Sequence, residues 1–273
     1  MENPTSASVA LNGGRTLYFT VLAVFLASIA LTYYFTSTMS GGMDMPGGWN
    51  MSMMWMVMPG QTWLAAALLF AAMWQGMMVA MMLPSALPML LLYRRAATFR
   101  RDSSQEGASA GFATTMMGTG YFAVWLLFGI LAYASGMTLG WAAMRWTAVS
   151  RVVPLASGAA LVAAGIYQWT PWKNACLRHC RDPLSLVADH LDGGWARGLK
   201  LGFHHGAFCV GCCWALMVIQ LVLGVMNVPV MVGVAVVIAL EKLVPWGNQV
   251  AKGAGLAAVL GGLFMVTRAV FIA

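Results

Sequence analysis

The chain has 273 residues, 60% hydrophobic and 8% charged, with a mean hydropathy of +0.76, whereas soluble domains carry roughly 25% charged residues. That composition excludes an ordinary water-soluble domain and points to a polytopic membrane protein. The formal net charge of +7 follows from the topology given below and indicates no nucleic-acid partner.

Apolar runs of about 20 residues lie at approximately 17–37, 62–92, 112–135, 151–170, 201–223, 228–244 and 250–271. Each can cross a hydrocarbon core of about 30 Å. They predict an all-α fold, an integral membrane bundle of about seven transmembrane helices, the sixth being the weakest. With the N-terminus inside, the cytoplasmic segments hold Arg15, Arg94, Arg95, Arg100, Arg101, Lys173, Arg178, Arg181, Arg197, Lys200, Lys242 and Lys252. Only Arg145, Arg151 and Arg268 fall outside. This asymmetry predicts an N-in/C-out orientation in a lipid bilayer. The expected divisions are a short, loose cytoplasmic N-terminus (1–15), a first, retained helix (16–37), a Met-rich extracytoplasmic loop (38–61), a membrane core (62–246) and a last helix (247–273).

The loop contains Met43, Met45, Met51, Met53, Met54, Met56 and Met58 among five glycines and prolines at 41–48. Those breakers predict a flexible segment that turns helical only near Met51. Thioethers are soft, are not titrated near neutral pH and form no disulfides outside the cell, so this density suits Cu(I) or Ag(I) capture. Plain anchoring of the loop in the bilayer surface is the simpler use of such residues, but it would not favour Met over Leu.

In the second helix Met73, Met77 and Met81 recur at four-residue steps, a thioether stripe leading inward from the loop. Taken alone, such a stripe is more often adaptable packing than a metal path. Pro84 and Pro88 predict a kinked or stepped inner end. Residues 94–111 read as a basic cytoplasmic loop, and Trp141, Arg145 and Trp146 as an outer interfacial belt. Pro171 should stop the fourth helix. Beyond it, Cys176 and Cys180 share one face if the next turns are helical, with His179 beside them. Lys173, Arg178 and Arg181 would favour their thiolates, although the same charges also serve as topology markers.

The densest chemistry is in the fifth helix, where His205, Cys209, Cys213 and Met217 climb one face and Cys212 lies one turn from Cys209. A lone Cys is ordinary packing between membrane helices, and a lone His can mark the aqueous end. Three cysteines in five residues, flanked by His and Met, point instead to a soft-metal or thiol-redox wall. Glu241 and Lys242, at the inner end of the sixth helix, are expected to pair with each other.

The runs Trp74-Gln75-Gly76-Met77-Met78-Val79-Ala80-Met81-Met82-Leu83-Pro84, Tyr167 to Pro183, Phe208 to Met217 and Glu241-Lys242 resemble the family of predicted metal-binding integral membrane proteins, a bacterial domain-of-unknown-function family, over roughly residues 62–246. The resemblance implies a metal-binding core and a multi-pass place in the bacterial inner membrane. The Met-rich loop lies outside it.

These readings combine into a Cu(I)-handling membrane protein, a transporter or a copper chaperone rather than an enzyme. The outer methionines would collect metal, Met73, Met77 and Met81 would carry it, and Cys209, Cys212, Cys213 and His205 would hold it. Cys176 and Cys180 would exchange it on the cytoplasmic side with a soluble copper carrier or a copper enzyme. One alternative is a membrane thiol-disulfide oxidoreductase using Cys209 and Cys212, and another is an assembly subunit of a membrane copper enzyme.

Overall fold

The structure, a computed structural model, describes residues 4–39, 41–103, 110–182, 184, 187 and 194–272. Its helices are α1 (Pro4–Thr38), α2 (Trp63–Ser103), α3 (Ala110–Arg145), α4 (Thr147–Tyr167), α5 (Pro171–Arg181), α6 (Gly194–Leu223), α7 (Val228–Leu243) and α8 (Gly247–Ile272). Six of them, α1, α2, α3, α4, α6 and α8, contain stretches long and apolar enough to cross a membrane. The expected sixth span is α7, with 16 residues, about 24 Å at 1.5 Å per residue and shorter than a typical hydrocarbon core.

Three expectations about local structure are corrected. The N-terminal segment is helical from Pro4 onward. Arg94 to Ser103, with all four arginines of the expected basic loop, continue α2, and residues 104–109 lie outside the described residues. Finally, the Met-rich loop is a β-hairpin, β1 (Gly42–Met45) paired antiparallel with β2 (Trp49–Ser52), followed by a short 3-10 turn at Met53–Trp55. Its Pro46-Gly47 corner has the pattern of a type II turn, with φ of 100° at Gly47, a value that L side chains resist. Gly48 N–H closes the turn on the Met45 carbonyl at 3.2 Å. The indole of Trp49 donates to the Ser150 carbonyl at 2.9 Å, and the Ser150 hydroxyl donates to the Pro46 carbonyl at 2.6 Å. The hairpin is thereby docked on the start of α4.

Pro84 and Pro88 both lie inside the continuous α2. The tightest packing uses glycine. On α3 and α6, added Cβ atoms at Gly120 and Gly202 would collide with the backbone of the facing helix, at Leu199 and Met117 respectively. On α4 and α8, Gly158 faces Gly262 and Gly165 faces Gly255. Small residues let membrane helices approach closely enough for extensive van der Waals contact. The α3–α6 approach brings Tyr121 within reach of the α6 cysteines.

The main core cluster joins Met54, Phe70, Met73, Trp74, Met77, Met78, Met81 and Met82 to Trp125, Cys209, Cys212, Cys213 and Met217. Buried thioethers and buried thiols therefore form one continuous interior. Lys173, Glu241, Gln168 and Lys242 are buried beside it.

Candidate metal centre

Helix α6 places Cys209, Cys212 and Cys213 on the inner side of the bundle, each fully buried, because i+3 and i+4 steps return to the same face. Their Sγ atoms all lie within 4.8 Å of one another. Cys212 and Cys213 are 3.3 Å apart at sulfur, and the Cys212 thiol also donates to the Cys209 carbonyl at 3.2 Å. With metal–sulfur bonds of about 2.3 Å, two sulfurs across one ion stand at most about 4.6 Å apart, a span close to that of this triad, so one soft ion can be reached by two or more of its sulfurs with little movement.

A fourth sulfur comes from α5. Thr170 caps that helix by accepting from Lys173 N–H, and Pro171 occupies its first turn, where a missing N–H costs nothing. The helix confirms the shared face of Cys176 and Cys180 and carries Cys180 Sγ to 3.8 Å from Cys212 Sγ. Cys176 is half-buried against Gly211, where a Cβ would stand 2.9 Å from its sulfur. Hydrogen bonding with Cys209 leads in raising the Cys180 thiol above the usual range, and burial raises that of Cys176. The expected thiolate stabilisation by neighbouring bases is thus corrected. Lys173 is held by Glu241, Arg181 donates to the Glu241 carbonyl at 2.8 Å and to Asn248 at 3.1 Å, and Arg178 is exposed.

The expected Glu241–Lys242 pair is also corrected. Glu241 accepts from Lys173 Nζ through both carboxylate oxygens, at 2.8 and 2.7 Å, with Gln168 completing the ammonium's partners. Adjacent helical residues point about 100° apart, so Lys242 faces the other way and donates to Cys209 Sγ at 2.9 Å. The Tyr121 hydroxyl lies 2.9 Å from the same sulfur. Sequence reasoning missed both contacts. The available signal for Lys242 was a basic residue at the end of an apolar run, and nothing local pointed to Tyr121.

The histidines are placed less centrally. His205 is buried and stacks on Tyr121 with ring centroids 5.5 Å apart, and its Nδ1 has no hydrogen-bond partner among the described residues. It lies outside the compact group of three sulfurs. His179 is exposed and lies flat on Phe208 at 4.2 Å, its Nδ1 3.1 Å from the Ala175 carbonyl.

Met73, Met77, Met81 and Met217 are all buried in the cysteine cluster, joined by Met78 and Met82, which the single stripe omitted. The hairpin methionines separate. Met54 belongs to that cluster, Met45 and Met51 are buried in a second one with Met56 at its edge, and Met43, Met53 and Met58 are exposed. They do not converge on one loop site, because strand alternation and docking on α4 send them to different surroundings.

Residues 71–265 match the model of the PpoB2 family, described as copper chaperone, and the chain belongs to that family. The match covers nearly all of the 62–246 core and extends through most of α8. No curated protein and no solved structure matches the chain.

Proposed function

We propose that this copper chaperone family member carries Cu(I) within a membrane, holding it among Cys209, Cys212 and Cys213 and exchanging it through Cys180. The observation that supports this most is the set of three buried thiols within 4.8 Å, with a fourth 3.8 Å from Cys212. Soft, polarisable sulfur in a dry pocket favours Cu(I) over hard cations. Metal enters from the outer side, where exposed Met43, Met53 and Met58 offer thioethers, and passes the buried stripe of Met73, Met77 and Met81. Met45, Met51, Met54 and Met56 act as further outer donors, and Met217 and His205 flank the thiol site.

On the cytoplasmic side, Cys180 and then half-buried Cys176, with exposed His179 nearby, pass the ion to a soluble carrier or a copper enzyme. The chain sits N-in/C-out in a bacterial inner membrane, α7 being a seventh, short span, and it acts as a carrier without catalysing a reaction. Copper is its cargo.

Elemental analysis of anaerobically purified protein, with and without added Cu(I), tests the reading together with a free-thiol count. Bound copper that disappears in a Cys209→Ser, Cys212→Ser, Cys213→Ser triple variant is the expected result. Copper retention unchanged in that variant would refute the intramembrane site. A second reading, dithiol–disulfide exchange, is favoured by the Cys180–Cys212 approach and leaves the methionine stripe without a role. Absence of copper together with a missing pair of thiols would select it.

A further inference from the structure

Lys242 carries a buried positive charge that no carboxylate among the described residues balances. It is 8% exposed, and its Nζ lies 2.9 Å from Cys209 Sγ and 3.5 Å from Ser85 Oγ. Among the described residues Glu241 is the only buried acid, and both of its oxygens are engaged by Lys173. The groups facing the Lys242 ammonium are therefore sulfur and hydroxyl: Cys209, Ser85 and, across the same sulfur, Tyr121. Burying an ammonium without an anion is costly. A methionine would fill much the same volume at this position and carry no such cost.

The nearest group that can become an anion is the Cys209 thiol, and in the loaded state its thiolate belongs to a metal–thiolate unit. One Cu(I) between two thiolates has a net charge of −1, and a neighbouring ammonium brings the whole to zero. A divalent ion between two thiolates is already neutral and gains nothing from the ammonium. Three thiolates on Cu(I) would leave an uncompensated negative charge even with the ammonium in place. We infer that Lys242 is the counter-ion of the cargo, a specificity-determining residue that matches the pocket to a monovalent soft cation held by two thiolates, with Cys209 as the sulfur facing it. The inference rests on the copper reading above and adds the charge and ligand number of the loaded state. Lys242 acts through Cys209 and does not itself bind the metal.

Cu(I) and Hg(II) both favour two-coordinate thiolate sites and differ in charge, so together they separate an electrostatic role from a structural one. The test is competition titration of the full-length protein, purified anaerobically in detergent, with each ion. It compares wild type, Lys242→Met and Lys242→Arg. The expected result is a Cu(I) affinity at least about tenfold weaker in Lys242→Met, recovery in Lys242→Arg and Hg(II) affinity unchanged within about threefold. Retained Hg(II) binding also shows that the variant's pocket is intact. Equal losses for both ions, or undiminished Cu(I) affinity in Lys242→Met, would overturn the counter-ion while leaving the copper reading in place. A wild-type protein that binds Hg(II) but not Cu(I) would overturn both.

Discussion

Cys180 and Cys212 are 32 residues apart in sequence, on different helices, and their sulfurs stand 3.8 Å from each other. That distance is far beyond a disulfide bond of about 2.0 Å and close enough for both to reach one ion in turn. Helix α5 has only 11 residues and is amphipathic, whereas α6 has 30 and runs through the core. The two sulfurs thus belong to a short surface helix and a fixed wall.

Cys180→Ser should leave copper bound but slow its removal by a soluble thiol chelator. Cys212→Ser should lower affinity itself, by the 10–100-fold order seen when a metal site loses a supporting group. Stopped-flow chelator exchange and equilibrium competition measure the two effects separately. Equal behaviour of the two variants would contradict the division between exchange and holding.

Copper loading should weaken as pH falls. The Cys180 and Cys176 thiols are shifted upward, by sulfur hydrogen bonding and by burial respectively, so both are protonated in the free protein near neutral pH. A raised thiol pKa means that the proton is present before metal arrives and must leave when a thiolate ligand forms. Apparent affinity then drops by about tenfold per pH unit for each proton released. Titrations at about pH 6 and pH 8 check this, and the slope should be shallower in a Cys176→Ser, Cys180→Ser variant if those thiols join the ligand set. A pH-independent affinity would show that no thiol gives up a proton.

The Lys173–Glu241 pair is fully buried, with a closest N–O distance of 2.7 Å. Removing one partner, as in Glu241→Gln or Lys173→Met, should destabilise the protein by about 3–5 kcal/mol, because the other charge is left uncompensated. The double change Lys173→Met, Glu241→Leu should recover much of that loss. Thermal unfolding in detergent reads the stability. Because the pair ties α5 to α7, the single variants should also slow copper exchange through Cys180.

Gly202→Ala should be destabilising by about 1–3 kcal/mol, since its Cβ would run into the Met117 carbonyl across the α3–α6 contact. Gly233→Ala, where nothing lies within 4 Å, serves as the control and should be neutral or slightly stabilising. The α3–α6 separation also sets the Tyr121–Cys209 contact, so Gly202→Ala should reduce Cu(I) affinity while Gly233→Ala leaves it unchanged.

Much of this was legible locally. Hydropathy marked the long helices, and the four-residue rhythm of His205, Cys209, Cys213 and Met217 put them on one face, as the structure has them. What local pattern could not give was the partner of each side chain. Glu241 and Lys242 look like a neighbouring pair, yet helical rotation sends one to Lys173 and the other to Cys209. Lys173, Arg178 and Arg181 look like thiolate activators, yet two of them are engaged elsewhere and the third is exposed. The hairpin's glycines argue against a helix and suggest a flexible loop, while the strand pairing of Met43 with Met51 becomes visible only once the Pro46-Gly47 corner is placed. In each case the deciding contact is a tertiary one, which local spacing does not encode.

Helix α7, with its 16 residues, is about 6 Å shorter than a typical hydrocarbon core, a mismatch that follows if it is the seventh span proposed above. Lipid beside a short helix thins to avoid exposing its ends, at a cost of fractions of a kcal/mol per ångström. Because Lys242 lies in the last turn of α7 and touches Cys209, such thinning would, in the orientation proposed above, draw the cytoplasmic water boundary toward the thiols. A docking carrier would therefore meet a shallow basin, and the ion would leave through a few ångströms of thinned membrane instead of half a bilayer.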